Sequence, residues 1–159
     1  MRKSYFPSIK GDPLPLRVRV ERKVRFEEVD QLGIVWHGRY ASFFEDARCA
    51  LGEKYGIGYP DFYKNEVIAP IRILHTDFHS PLRFNETFVI EGIVHWTEAA
   101  RINIEYQIWN PEDHLSTSGY TVQVMLDKDE QLLLVPPPFY RDFREKWRAG
   151  EFKKPILDS

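Results

Sequence analysis

The chain has 159 residues, 43% of them apolar and 14% aromatic, which is enough to bury the core of one compact domain and too many for a disordered chain. Its 22 basic and 24 acidic residues leave a net charge of −2 with no long run of either sign, which argues against a general nucleic-acid role. A single cysteine, Cys49, excludes an internal disulfide.

The N-terminal string MRKSYFPSIKG is basic but has no apolar run behind it, so no secretory leader is expected. The longest apolar stretch, Leu132 to Val135, is far too short to span a bilayer, and the cytoplasm is the default location. Residues 1–13, rich in Pro, Gly and Lys, read as an arm ahead of a folded region over 14–136. From Leu14 an alternation begins: Leu14, Leu16, Val18, Val20, Val24 and Phe26 share one parity, and Arg17, Arg19, Glu21, Lys23, Arg25 and Glu27 the other. Period two with one polar face predicts a half-buried strand. Arg22 interrupts the apolar row and suggests a bulge or an exposed edge.

After a loop the period changes. Tyr40, Phe43, Phe44, Ala47, Leu51 and Tyr55 recur at three- and four-residue spacing, the mark of an apolar helix face, with Cys49 opposite and Gly56 and Gly58 as stop signals. Ile68 to Pro81 is the least regular segment and is expected to pair on both sides. Three alternating strands follow, over Phe88 to Trp96, Ile102 to Ile108 and Tyr120 to Leu126, separated by turn-rich strings at 96–100, 110–113 and 127–130. Short connections of this kind predict antiparallel hairpins. Pro136 to Pro138 end the sheet, and Phe139, Phe143 and Trp147 predict a closing helix within 137–159. The order, strand, helix, four strands, helix, implies an α+β domain whose sheet wraps one long central helix.

The loop reads Asp30-Gln31-Leu32-Gly33-Ile34-Val35-Trp36-His37-Gly38-Arg39-Tyr40. It offers a carboxylate leaving a strand, two glycines with access to unusual backbone angles, and a helix N-terminus close behind. Unpaired N–H groups there, with the positive end of the helix dipole, can stabilise a developing oxyanion. Together with a carboxylate they form a minimal kit for attacking an activated carbonyl. The other reading of the same string is that Asp30 caps a turn.

The string Asp30-x-x-Gly33-x-Val35-Trp36-His37-x-x-Tyr40, followed by Phe43, Phe44, Ala47 and Arg48, resembles the 4-hydroxybenzoyl-CoA thioesterase branch of the hotdog superfamily, and especially its Tol-Pal-associated acyl-CoA thioesterases. Asp77 to Arg83 and Ser118 to Val122 resemble later strands of the same family, so the likeness runs from about Val18 to Leu126. It implies an antiparallel sheet of five or six strands around the helix, and hydrolysis of an acyl-CoA or aryl-CoA thioester without a cofactor or metal. Asp30 matches the catalytic Asp as nucleophile or general base, and His37 matches a His that positions the reacting group. Gly33, Val35, Trp36 and Tyr40 match residues that shape the acyl pocket and present backbone N–H groups. Phe26 departs from the pattern, since many relatives carry Tyr there. The resemblance also implies homodimers, often paired into homotetramers. A non-catalytic acyl-CoA-binding module and a hotdog enoyl-CoA hydratase or dehydratase are the competing functions.

Other residues carry less. His75, Asp77 and His79 alternate on one face, in a row that suits a metal or, more simply, a polar or interface surface. His75, His79, Trp96 and Trp109 are candidates for subunit contacts. His95 and His114 read as surface or turn residues, and Cys49 has no base beside it. Arg39, Arg48, Arg83 and Arg101 are candidates for the coenzyme phosphates.

Overall fold

The computed structural model describes residues 4–153. The first alternation gives a shorter strand than its pattern suggests, β1 (Leu16–Lys23). Leu14 and Phe26 lie outside it and are exposed. Arg22 marks no bulge, because the pairing with β3 (Thr87–His95) runs unbroken from Leu16↔Val94 to Lys23↔Thr87. Its guanidinium bonds Glu28 at 2.9 Å and Asp46, and lies 4.8 Å above the Phe43 ring. The edge reading of Arg22 does hold, since β1 ends the sheet order β1-β3-β4-β5-β2.

The long helix α1 (Tyr40–Tyr55) buries its aromatic stripe and leaves Cys49 exposed. Gly56 closes it in the left-handed conformation. Gly58 is not a second stop. It opens a short helix, α2 (Tyr59–Lys64), with Asp61 accepting its N–H at 2.8 Å. Six residues with Phe62 alone buried are too few to show a period.

The strand β2 (Ile71–Phe78) corrects another expectation: it pairs with β5 (Leu115–Val124) alone and forms the second edge. Its pattern is irregular because Ile71, Ile73, Leu74 and Phe78 are 43–54% exposed rather than sandwiched. The strand β5 starts well ahead of its apolar signal, because its first half buries Ser116, Thr117 and Ser118. These hydroxyls find partners, as when Ser116 Oγ donates to Ser80 C=O at 2.7 Å.

With β4 (Arg101–Trp109) the sheet has five antiparallel strands curved around α1, which is the hotdog arrangement. Phe88, Ile90, Val94, Ile102, Ile104, Tyr106 and Ile108 form the inner face, and Phe44 stacks on Tyr106 with centroids 4.6 Å apart. Each such aromatic side chain contributes about 2 kcal/mol by leaving water. The closing helix α3 (Pro138–Arg148) buries Tyr140, Phe143 and Trp147. Trp147 donates its indole N–H to Leu14 C=O at 2.8 Å and meets Trp96 edge-on, so Trp96 is covered by its own chain.

The outer face of the sheet carries the N-terminal arm. Phe6 packs on His95 and Tyr120, Tyr5 packs on Tyr120, and Ser4 Oγ donates to Glu105 at 2.8 Å. His95 is therefore not a surface residue. It is buried and bonds Glu105 at 2.9 Å. Burial raises the Glu105 carboxyl, but hydrogen bonds from His95, Ser4 and Gln107 and the charge of His95 outweigh it, and the net shift is downward. His114 is exposed, as a turn residue should be. Among the described residues no helix is long and apolar enough to cross a membrane.

Candidate active site

The loop between β1 and α1 is folded by its own hydrogen bonds. Asp30 N–H donates to Ile34 C=O at 2.9 Å, and Gly33 N–H donates to Asp30 C=O at 3.0 Å. Asp30 Oδ1 accepts the N–H of Leu32 at 2.8 Å. Gly33 closes the turn at φ +75°, a conformation that a Cβ would penalise. The turn reading of Asp30 is thus realised through one carboxylate oxygen, while the residue remains exposed.

The same residue borders a cleft of about 350 Å³. Asp30, Ile34, Val35, His37 and Tyr40 line it on one side, and Phe78, His79, Ser80 and Pro81 on the other. Four of the six site residues expected from sequence therefore meet in one place. Gly33 and Trp36 do not line it: Gly33 shapes the turn, and Trp36 is half exposed with its ring tilted against His37. The Trp36 indole covers Gly38, where a Cβ would fall 2.3 Å from the ring. The second wall was missed as part of the site. Its signal is the segment from Asp77 to Arg83, in which the sequence offers His79 as a metal ligand or a subunit contact rather than as a wall of the cleft.

The amides divide differently from expectation. Val35 N–H donates to Leu82 C=O at 2.8 Å and Trp36 N–H to Glu28 C=O at 2.9 Å, so neither is available to a ligand. A 3-10 turn, His37–Arg39, runs into α1 with no side chain capping it. Its first bond is Arg39 N–H to Trp36 C=O at 2.9 Å. Among the described residues the amides of His37 and Gly38 have no hydrogen-bond acceptor, and they lie at the positive end of the dipole.

Tyr40 is buried and meets Phe78 edge-on at 5.0 Å. Burial pushes its phenol up against the opposing pull of the Leu82 backbone and Thr117, so it forms a protonated wall rather than an acid–base group. Cys49 is no better a nucleophile, since burial and the nearby Glu45, Asp46 and Glu53 push its thiol up against Arg48. Arg48 is 1% exposed, with Nε donating to Gln123 Oε1 at 2.7 Å and the guanidinium over the Tyr59 ring. Its Nη1 and Nη2 have no hydrogen-bond partner among the described residues, and a side chain so buried does not reach a coenzyme phosphate at the surface. Arg39 donates to Glu27 C=O at 3.2 Å, while Arg83 and Arg101 are exposed. His75 bonds Asp77 at 2.9 Å and His79 bonds Ser118 at 2.9 Å. Among the described residues no group of three His, Cys, Asp or Glu is placed to hold a metal ion.

The chain as a whole is similar to several known proteins. A family model described as the thioesterase superfamily matches residues 32–117, a span opening just after Asp30. A Bacillus subtilis protein assigned as an acyl-CoA thioesterase is 31% identical over 109 residues, covering 69% of this chain and 79% of that one. A chloroplastic acyl-acyl carrier protein thioesterase of Arabidopsis thaliana is 32% identical over 120 residues, covering 74% of this chain and 62% of its own length. The crystal structure of a DHNA-CoA thioesterase from Staphylococcus aureus superposes with a TM-score of 0.75 at 25% identity, covering 89% of this chain and 97% of that one.

Proposed function

Since the chain belongs to the thioesterase superfamily, we propose that this thioester hydrolase cleaves an acyl- or aryl-CoA to the free acid and CoA, with Asp30 as its catalytic carboxylate. The observation that carries the reading is the cleft lined by both Asp30 and His37, with His37 opening a helical start whose first two amides have no acceptor among the described residues. A thioester carbonyl is more electrophilic than an ester because sulfur donates poorly into it. Asp30 either adds to that carbonyl, expelling the CoA thiolate and leaving a mixed anhydride for water to open, or takes a proton from the water that adds. In both routes the amides of His37 and Gly38 receive the oxyanion, and His37 orients the reacting group. The apolar rings of Tyr40 and Phe78 suit the acyl or aryl part.

The exposed edge of β2 supports self-association. Two copies joined along β2 would cover Ile71, Ile73, Leu74 and Phe78 and bring the second chain to the border of the cleft, with dimers pairing into tetramers. Light scattering of the purified chain reads the state directly. A CoA thioester substrate is compatible with a cytoplasmic location.

The test is colorimetric thiol release from short, long and aromatic acyl-CoAs. Asp30→Asn should lose about 10²-fold or more in kcat, and near-native hydrolysis by this variant would end the assignment. Single turnover in ¹⁸O-water separates the routes, since label enters Asp30 only through the anhydride. Tight acyl-CoA binding without thiol release would replace hydrolysis with the binding-module reading.

A further inference from the structure

A chain of hydrogen bonds leads out of the cleft and ends on the N-terminal arm. His79 Nε2 lies 2.9 Å from Ser118 Oγ, and that hydroxyl lies 2.8 Å from the Tyr5 phenol oxygen. Tyr5 O–H in turn donates to Asp77 Oδ2, which also meets His75 Nε2 at 2.9 Å. Counting protons fixes the direction of the chain. A carboxylate has none to give, so Tyr5 donates to Asp77 and has no proton left for Ser118. Ser118 must then donate to Tyr5, and toward His79 it can only accept. His79 is thereby a donor at Nε2. Ser118 is fully buried, so water does not reach its hydroxyl, while His79 itself is exposed at the cleft.

We infer that Tyr5 is a positioning residue for the cleft: acting through Ser118, it holds His79 in one tautomer and one orientation against the bound substrate. The inference rests on the reading that this cleft receives the thioester. The phenol itself is fixed by packing. Its ring lies 5.0 Å from Tyr120 and 5.6 Å from His75, and its neighbours Ser4 and Phe6 are anchored on Glu105 and on His95 and Tyr120. A site built from residues 30–40 and 78–81 is thus completed by the fifth residue of the chain.

Tyr5→Phe keeps the ring and removes only the hydroxyl, and Ser118→Ala cuts the chain one link later. Long-range ¹H–¹⁵N spectra of the full chain should show His79 as the Nε2–H tautomer in the native protein and as a mixture in both variants. With the most active acyl-CoA of the panel, and at a temperature where both proteins are fully folded, Tyr5→Phe should lower kcat/KM about tenfold. In a His79→Gln background, adding Tyr5→Phe should cost nothing further. An Nδ1–H signature in the native protein would overturn the inference, and so would a Tyr5→Phe variant with native spectrum and native kcat/KM. If Asp30→Asn abolishes turnover while Tyr5→Phe leaves it intact, this inference alone falls. If no thioester is hydrolysed, the functional reading falls, and the ring spectra still decide whether the arm sets His79.

Discussion

On the side of the sheet that faces α1, Phe44 lies flat on Tyr106 amid Ile104, Ile108 and Phe43, all almost fully buried. On the opposite side Glu105, His95 and Ser118 are buried nearly as deeply, but beneath three residues of an arm rather than a helix. Equal burial therefore has two physical origins here. The inner face is held by apolar area and ring contacts, which need no partner of a particular kind. The outer face combines the ring contacts of Tyr5 and Phe6 with paired donors and acceptors such as His95, Glu105 and Ser118. Removing one of these polar groups leaves another stranded, while Asn103 Oδ1 and Trp109 Nε1 have no partner among the described residues.

The strongest way to break the contrast is Phe44→Ala, which deletes a stacked ring and leaves a cavity. It should cost about 3–5 kcal/mol in urea unfolding, and a loss under about 1 kcal/mol would mean that the helix does not pack as described. On the outer face, His95→Leu leaves the Glu105 carboxylate without its main donor and should cost about 3 kcal/mol by the same measurement. A smaller effect follows from pH. Glu105 titrates lower in the folded chain than its unfolded value of 4.5, so its contribution is fully present above pH 4.5 and is lost as pH falls through the folded value. The melting temperature should accordingly drop more steeply below pH 4.5 in the native protein than in Glu105→Gln. The smallest change is expected at Arg48, a buried cation with no ion-pair partner among the described residues. Arg48→Met removes that buried charge but strands Gln123 Oε1, and the two opposing effects should leave it within about 1 kcal/mol of the native protein; a loss above about 3 kcal/mol would reveal a partner for Nη1 and Nη2.

The same contrast explains what could be read from the sequence. Local periodicity placed α1 at Tyr40–Tyr55 with Cys49 outward, because a helix face is defined by neighbours three and four residues apart. It placed the strands β1, β3 and β4 to within a few residues for the same reason. Period two shows which residues share a side, yet it is silent about what covers that side. His95 looked like a surface residue because its cover, Phe6, comes from the far end of the chain. Ile68 to Pro81 was expected to lie between two strands, since an edge with several exposed Ile and Leu residues resembles a doubly covered one. At the cleft, Asp30, His37, Val35 and Tyr40 were legible through the family resemblance carried by one string leading into α1. Phe78 and His79 were not, since only the pairing of β2 with β5 brings them across the cleft. Trp36 was assigned to the pocket by its place in that string, and its actual position over Gly38 depends on a side-chain orientation that no spacing encodes.

The seating of the arm has a practical corollary for anyone preparing the protein. A purification tag fused to the first residue is tethered within a few residues of the Tyr5 phenol, whereas one fused behind the last residue is attached beyond α3. Two batches of identical sequence, differing only in which end carries the handle, are therefore different reagents, and a kinetic comparison between laboratories should first ask where the handle was attached.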